Sequence, residues 1–176
     1  RGLARTFQNI RLFPQLTCIE NIMSTPHCHA HCGVWASIFR VPNQCKEELE
    51  ILKSAAYRLH QIGLWEYRNE LAKNLPYGKQ KQLEIARALA AEPDLLILDE
   101  PSSGLNDKET EELIEFLTKI KNEGYTILLI EHDMNVVMGI SDIVTVMDMG
   151  CKIAEDLPEN IYNNPKVIEA YLGKEE

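Results

Sequence analysis

The 176-residue sequence lacks several features that would place it in a specialised class of protein. No apolar run reaches the ~18 residues that a membrane-spanning helix needs, and neither a secretory signal nor a low-complexity repeat is present. Basic residues are few, 18 against 27 acidic ones, and the net charge of −9 argues against a nucleic-acid-binding protein. The chain starts with Arg1 rather than Met, so we expect it to be a piece of a longer protein.

The residues that are present are typical of a folded globular protein, with 45% apolar and 26% charged side chains. The cysteine count, five, is odd, which favours reduced thiols in a cytosolic protein. The segment His27–Cys32 combines histidines and cysteines that could hold a soft metal. It matches no closed zinc motif and lies between Pro26 and Pro42, so we favour a solvated loop.

The part of the chain before Pro76 is mainly helical by its apolar spacing. A short strand is predicted near Ala4–Phe7, and Thr17 with Glu20 forms a capping-box pattern at the start of a helix. A longer helix is predicted over 46–62. Its apolar face is expected to contain Leu49, Leu52, Ala56, Leu59 and Ile62.

After Pro76, helices alternate with short apolar strands. A helix is predicted over 79–91, and the runs Leu95–Leu98 and Thr126–Ile130 are short enough to be strands buried on both faces. Between them, Asn106 and Glu109 form a second capping box. This alternation predicts an α/β fold with a largely parallel sheet. Two further strands, near 143–147 and 152–155, and two short helices starting at Pro158 and Pro165 complete the prediction.

Polar side chains follow the two buried strands. Asp99 and Glu100 follow the first strand, and His132 comes shortly after the second. Parallel sheets bind ligands at the carboxyl ends of their strands, and successive strand side chains alternate in direction. Asp99 can therefore reach a hard cation such as Mg²⁺, and Glu100 can polarise an attacking water. The alternative is a strand that ends in solvent with two surface acids, beside a structural histidine.

The order of these motifs resembles the ATP-binding subunits of ABC transporters. Gln8 precedes a helical segment, a glycine-containing helix start follows at Gly78, and then come Leu-Leu-Ile-Leu-Asp-Glu-Pro and Glu-His-Asp. The resemblance covers the chain from Arg5 onward. It is closest to the branched-chain amino-acid subfamily, through the segments Arg5–Phe13, Leu75–Gly78, Leu83–Arg87, Ile130–Met134 and Asn164–Gly173.

The resemblance implies a P-loop NTPase core of the ABC ATPase type with an inserted α-helical subdomain. Residues 1–16 and 76–176 would form an incomplete RecA-like core, and residues 17–75 the helical subdomain that docks on membrane subunits. No Gly-x-x-x-x-Gly-Lys-Ser/Thr loop, which holds the nucleotide phosphates through its amides and lysine, occurs in the 176 residues. The family has this Walker A loop before the Q-loop, so we expect it in a missing N-terminal part.

The resemblance also implies a role for each polar residue at the strand ends. Gln8 would be the Q-loop glutamine, which contacts Mg²⁺ or the attacking water. Asp99 would hold Mg²⁺ through water, and Glu100 would be the catalytic base or water-orienting carboxylate. His132 would be the switch histidine that bonds the γ-phosphate of ATP.

Two further segments would contact the nucleotide across a subunit interface. Ser103 to Asn106 would be the D-loop, and Leu75 to Lys79 the signature segment, which closes over ATP held by the partner subunit. The signature departs from the family's Leu-Ser-Gly-Gly-Gln, because the chain has Pro76, Tyr77 and Lys79 where the family has Ser, Gly and Gln. Gly78 keeps its place, Lys79 can offer a charge to phosphate, and Asn106 replaces the usual Asp of the D-loop.

The function implied is that of an ATPase subunit of an importer, with branched-chain amino acids as the expected cargo and urea or short amides as cargoes of close relatives. Its expected partners are a second ATP-binding subunit (the altered signature favours a paralogue), membrane permeases and, indirectly, a substrate-binding protein. It would lie peripherally at the cytoplasmic face of the cell membrane. The alternatives are a non-transport ABC-type ATPase and a truncated, non-catalytic module that docks on permeases.

The absence of the phosphate-binding loop leads to a first prediction. The 176-residue chain by itself is expected to hydrolyse little or no ATP, because the amides and lysine that hold the β- and γ-phosphates are lacking. Phosphate release by the purified chain in the presence of Mg²⁺ measures this. Robust, Mg²⁺-dependent turnover would contradict the prediction.

Overall fold

A computed structural model describes residues 2–8, 10–27 and 42–172. The chain divides into two compact units, Arg1–Ile130 and Glu131–Glu176. The first unit contains a parallel sheet with helices, and the second contains an antiparallel hairpin with short helices. The predicted α/β fold with a parallel sheet is therefore confirmed.

The parallel sheet of the first unit has three strands in the order β1-β2-β3. They are β1, Leu3–Arg5; β2, Leu95–Asp99; and β3, Thr126–Ile130. The middle strand, β2, pairs with both neighbours, and its last residue, Asp99, lies beside Ile130 at the end of β3. The sheet thus brings the chain segments that follow β1 and β2 to the same edge.

Burial in this sheet differs from the prediction that both apolar strands are covered on both faces. Along β2, Leu96 and Leu98 are fully buried, whereas the alternate residues are only half-buried. Along β3, Leu128 is 48% and Ile130 46% exposed, so the prediction of a fully buried strand is wrong there. Because β3 is an edge strand among the described residues, it has a neighbour on one side only.

Four α-helices of the first unit are described, α1 (Cys18–His27), α2 (Pro42–Gln61), α3 (Tyr77–Leu89) and α4 (Asp107–Asn122). The predicted capping box at α1 is confirmed, because the amide of Thr17 donates to Glu20 Oε2 at 2.8 Å and the amide of Glu20 donates to Thr17 Oγ1 at 3.4 Å. The capping box of Asn106 and Glu109 at α4 is confirmed as well.

The buried face of α2 is rotated from the predicted one. Ile51, Ala55 and Leu59 are buried, whereas Leu49 and Leu52 are 50% and 41% exposed. Arg58 lies on the buried face and donates to the hydroxyl of Tyr125. An arginine can occupy such a position because its hydrocarbon stem packs like an apolar side chain while its head finds a polar partner. Leu59 and Ile62 are buried as predicted, so apolar spacing identified the helix and the C-terminal part of its inner face, but not the N-terminal part.

The second unit contains α5 (Met134–Ile140), β4 (Val144–Asp148), β5 (Cys151–Asp156), α6 (Pro158–Tyr162) and α7 (Pro165–Leu172). The strands β4 and β5 pair antiparallel. Prolines begin both terminal helices, as predicted. A small core of Val144, Val146, Ile161 and Val167 holds this unit together.

Two negative findings apply to the described ranges alone. No helix there combines the length and the apolar character needed to cross a bilayer, and no group of three or more His, Cys, Asp or Glu side chains could hold a metal ion. Most of the predicted His27–Cys32 cluster, residues 28–32, lies outside these ranges. Cys18 is a buried free thiol, and burial raises its pKa to about 11.

Candidate functional site

The centre of the candidate site is a hydrogen bond between two side chains far apart in sequence. Gln8 follows β1 and Glu100 follows β2, and the Gln8 Nε2 donates to Glu100 Oε2 at 2.6 Å. The parallel pairing of β1 with β2 places both segments at one edge of the sheet. The structure therefore brings together two residues that the sequence predicted for one site.

The main chain at Glu100 is held in an unusual conformation. Its φ is +45°, a left-handed value that is uncommon for residues other than glycine. The amide of Glu100 donates to the carbonyl of Ile130 at 2.9 Å, and the carbonyl of Glu100 accepts from the amide of Ser103 at 3.1 Å. These bonds fix a sharp turn directly after β2. Backbone strain of this kind persists where the surroundings hold it, and it is common at functional sites.

Asp99, the other predicted carboxylate, forms an ion pair that the sequence analysis missed. Arg5 Nη2 lies 2.8 Å from Asp99 Oδ2. Arg5 is the last residue of β1, and Asp99 is the last residue of the neighbouring strand β2. Strand pairing could not be read from the two sequence segments alone, so no local signal linked them. The guanidinium places a positive charge beside the strand-end carboxylate.

The predicted signature segment begins helix α3. Pro76 occupies the N-cap position without a side-chain cap, and the helix starts at Tyr77 with Gly78 in its first turn. Pro76 thus offers neither a hydroxyl nor a backbone N–H at this point. The Lys79 ammonium lies 4.0 Å from the ring centroid of Tyr67, a cation–π contact within the same unit. Its predicted contact with phosphate stays a prediction.

The predicted signature and D-loop segments touch each other within this chain. A β-carbon added at Gly104 would lie 3.1 Å from Cε1 of Tyr77, so the tyrosine ring packs closely on that glycine. A β-carbon at Gly78 would lie only 2.7 Å from Glu109 Oε1. Tyr77, which stands where the predicted signature would have a glycine, therefore packs on Gly104 of the predicted D-loop.

The predicted D-loop, Ser103 to Asn106, is a short turn that leads into α4. The amide of Ser103 donates to Glu100, and the side chain of Asn106 accepts from the amide of Glu109 at 3.0 Å. Glu109 in return accepts from the amide of Asn106 at 3.1 Å. The side chain of Asn106 is thus engaged in helix capping.

Lys81 and Glu84 of α3 are charged and buried, and the sequence analysis assigned neither residue a role in the site. The Lys81 ammonium donates to the main-chain carbonyls of Gln8 and Glu100, each at 3.3 Å. Glu84 Oε1 accepts from the amide of Arg11 at 3.0 Å. Burial raises the pKa of Glu84, against the lowering effects of the Arg11 amide bond, Arg87 and Lys81.

A pH-dependent stability follows from the raised pKa of Glu84. A raised folded-state pKa favours the protonated carboxyl, so the stabilisation present at low pH is lost as pH rises through that pKa. Glu84→Gln keeps an acceptor for the Arg11 amide but does not ionise. We therefore expect the variant to gain stability relative to wild type as pH rises from the ordinary glutamate pKa of 4.5 through the raised pKa of Glu84, measured as the difference in urea midpoint at each pH. A difference that shrinks as pH rises would contradict this.

His132 lies in the second unit, two residues beyond the end of β3. Its imidazole is exposed, its amide donates to Glu131 Oε2 at 3.1 Å, and its Nδ1 lies 3.9 Å from the same oxygen. The next residue, Asp133, caps α5 by accepting from the amide of Asn135. The approach of His132 to Glu100 stays a prediction.

The donor set at the sheet edge fits a hard cation. Carboxylate oxygens at Asp99 and Glu100 and the amide oxygen of Gln8 are the ligand types that Mg²⁺ takes in nucleotide-dependent enzymes, where one or two carboxylates and the substrate phosphates share the ion. Asp99 and Glu100 are the two carboxylates named at this edge, and the Arg5 guanidinium neutralises part of their negative charge.

Comparisons with known proteins identify the family of the chain. The ABC transporter family pattern matches residues 1–103, and the pattern described as branched-chain amino acid ATP-binding cassette transporter matches residues 151–176. The branched-chain amino acid transport ATP-binding protein LivG of Escherichia coli is 47% identical over 174 residues, which are 98% of this chain and 68% of LivG. BraF of Pseudomonas aeruginosa is 44% identical over 99% of this chain and 69% of its own length.

Solved structures show the same relationship. The ATP-binding cassette MJ1267 of an ABC transporter, in its ADP conformation, superposes with a TM-score of 0.79 at 30% identity, over 98% of this chain and 69% of that one. A nucleotide-free ATP-binding cassette from an ABC transporter gives a TM-score of 0.77 at 29% identity, over 98% of this chain and 69% of that one. Sequence and fold therefore agree: the chain belongs to the ABC transporter family, as an ATP-binding subunit with the P-loop NTPase fold and ATPase function of that family.

Proposed function

We propose that this ATPase powers the uptake of branched-chain amino acids. The observation that carries the proposal is the 47% identity to LivG along nearly the whole chain, because LivG is named as a branched-chain amino acid transport protein. The match of residues 151–176 to the branched-chain family pattern supports it as well.

In the proposed mechanism, the Gln8–Glu100 pair prepares the attacking water. Glu100 accepts a proton from this water or orients it, and Gln8 holds the carboxylate in place through its 2.6 Å hydrogen bond. Asp99 and Gln8 would hold Mg²⁺, which supplies positive charge to the phosphates when bound. His132 would donate a hydrogen bond to the γ-phosphate.

The signature and D-loop segments would act on a nucleotide held by a second subunit. The amides at the start of α3, near Tyr77 and Gly78, attract phosphate, and Lys79 adds a positive charge. Pro76 removes one donor from this cradle, so a partner with the usual signature would make the two sites unequal. The contact of Tyr77 with Gly104 links this cradle to the D-loop residues Ser103 and Asn106.

The remaining assignments concern organisation and partners. Residues 1–16 and 76–176 would form the ATPase core, and residues 17–75 the helical subdomain, whose exposed residues on α2, such as Leu49 and Leu52, are available to permease loops. The second ATP-binding subunit, the permeases and a substrate-binding protein would complete the importer. The protein would then sit peripherally at the cytoplasmic face of the membrane.

Uptake of labelled leucine tests the cargo. Cells that lack the gene are expected to lose high-affinity leucine uptake and to regain it with the wild-type gene, with isoleucine and valine as competitors. Urea and glutamine serve as controls and are expected not to compete. Competition by urea alone, with no effect of valine, would refute the proposed cargo and leave the ATPase assignment intact.

A further inference from the structure

Lys81 is a buried charged residue at the back of the candidate site. Its exposure is 3%, and it lies in the second turn of α3. Burial of an ammonium is costly unless its donors are satisfied. Here the ammonium donates to the carbonyl of Gln8 and to the carbonyl of Glu100, both at 3.3 Å.

These two carbonyls belong to the residues whose side chains meet. Gln8 and Glu100 are joined in front by the 2.6 Å hydrogen bond between their side chains. The Lys81 ammonium also binds the main-chain carbonyls of both residues. A charge that binds two carbonyls restricts the distance between the segments that carry them, and so restricts the distance between the side chains as well.

The contact with Lys81 matters most at Glu100, because the main chain there has a left-handed conformation. Its φ of +45° is disfavoured for a glutamate, so the turn relies on contacts that oppose relaxation. The bond from Lys81 acts on the carbonyl of this same residue, beside the bond from the amide of Ser103. Without the ammonium, the carbonyl can rotate and the carboxylate moves with it.

Glu84, one turn further along α3, holds the other side of the loop. Its carboxylate accepts from the amide of Arg11, three residues after Gln8. The helix thus binds the loop at a carbonyl through a cation and at an amide through a carboxylate. Because α3 binds the segment from Gln8 to Arg11 at both of these points, a shift of the segment along the helix would break both contacts.

We propose that Lys81 is a positioning residue for ATP hydrolysis, which holds the Gln8 and Glu100 main chains so that their side chains meet. The proposal rests on the proposed hydrolytic role of Glu100. It connects the helix that carries the predicted signature segment to the two segments that carry the water-orienting groups. Lys81 contacts main chain on both sides, so its effect on the reaction passes through Gln8 and Glu100.

The test replaces Lys81 by methionine in the full-length protein, which keeps the length of the side chain and removes its charge. We expect kcat for ATP hydrolysis to fall about 10- to 100-fold, because misplacement of a reacting group by about 1 Å costs this much. KM for ATP should change less than about twofold, since the ammonium donates to the main-chain carbonyls of Gln8 and Glu100. Lys81→Arg, which keeps charged donors, is expected to recover most of kcat. Lys119→Met, an exposed lysine of α4, is the matched control.

Hydrogen exchange in the absence of nucleotide tests the positioning by itself. In Lys81→Met, the amides of Glu100 and Ser103 are expected to exchange about tenfold or more faster than in wild type, with the Glu109 amide at the α4 cap unchanged. Lys81→Gln, which keeps a neutral donor, is measured in parallel, so that a folding failure of the methionine variant does not remove the test. It should give intermediate values of kcat and exchange.

The outcomes separate the two proposals. Unchanged exchange at Glu100 and Ser103, or a rise in KM without a fall in kcat, overturns the role of Lys81. Uniformly faster exchange across α3 and α4, without recovery by Lys81→Arg, shows a purely structural role and also overturns it. If wild-type protein does not hydrolyse ATP, the proposed function fails, whereas the exchange measurement still decides whether Lys81 positions the two segments.

Discussion

Glu100→Gln in the full-length protein is expected to slow ATP hydrolysis at least about 100-fold while nucleotide still binds. The substitution keeps the size of the side chain and leaves an oxygen to accept from Gln8 Nε2, so the 2.6 Å contact has a partner in the variant. The variant loses the negative charge that accepts a proton from water or orients it. The rate should fall because the chemical step is impaired, whereas the groups that bind phosphate are unchanged.

Phosphate release and binding of a fluorescent ATP analogue measure these two quantities separately. Glu115→Gln provides the control, because Glu115 is an exposed carboxylate on α4 and the substitution makes the same change of charge. The control should hydrolyse ATP at the wild-type rate. A Glu100→Gln variant with normal hydrolysis would show that another group activates the water, and the role assigned to Glu100 would be wrong.

Leu98→Ala is expected to destabilise the protein by about 2–5 kcal/mol. Leu98 is fully buried in β2, directly before Asp99 and Glu100. Removal of its side chain leaves a cavity beneath the strand that carries both carboxylates, and the close packing of a protein interior limits how far the neighbours collapse into it. The free energy of unfolding from urea denaturation measures the loss.

Leu49→Ala is the matched control for Leu98→Ala. Leu49 is half-exposed on α2, so the same chemical change removes little buried surface there. The control should lie within about 0.5 kcal/mol of wild type. Equal effects of the two substitutions would mean that β2 does not form the centre of the folded core. A loss of hydrolysis in Leu98→Ala at temperatures where it remains folded would show that the strand also positions the carboxylates.

The local elements were predictable because their signals lie within a few neighbouring residues. Capping boxes at Thr17 and Asn106 and the apolar run before Asp99 depend on contacts between residues three or four apart, or on continuous stretches. The inner face of α2 was predictable only in part in this way, at Leu59 and Ile62 but not at Leu49 and Leu52. Arg58 is buried, although a pattern of apolar residues predicts that an arginine faces solvent. Its partner Tyr125 is 67 positions away, so no local signal predicts this burial.

In the candidate site, too, residues with a local sequence signal were predicted and residues with distant partners were not. Gln8, Asp99 and Glu100 were identified from motif order and from their position after apolar strands. Arg5 and Lys81 were not, because their partners lie 94 residues away for the ion pair to Asp99 and 73 and 19 residues away for the two carbonyls. A lysine between polar neighbours, here Gln80 and Gln82, is predicted to face solvent. Only the packing of the helix in the folded chain shows that Lys81 is buried.

The amino-acid sequence by itself determined the family, the order of helices and strands, and the acidic groups that follow the apolar strands, because each depends on local pattern or on motifs in a fixed order. Only the tertiary structure decided that Gln8 bonds Glu100, that Arg5 neutralises Asp99 and that a buried lysine holds two main chains together. The physical reason is that parallel strands meet across long connections. Which side chains become neighbours is therefore settled by packing and burial, not by distance along the chain.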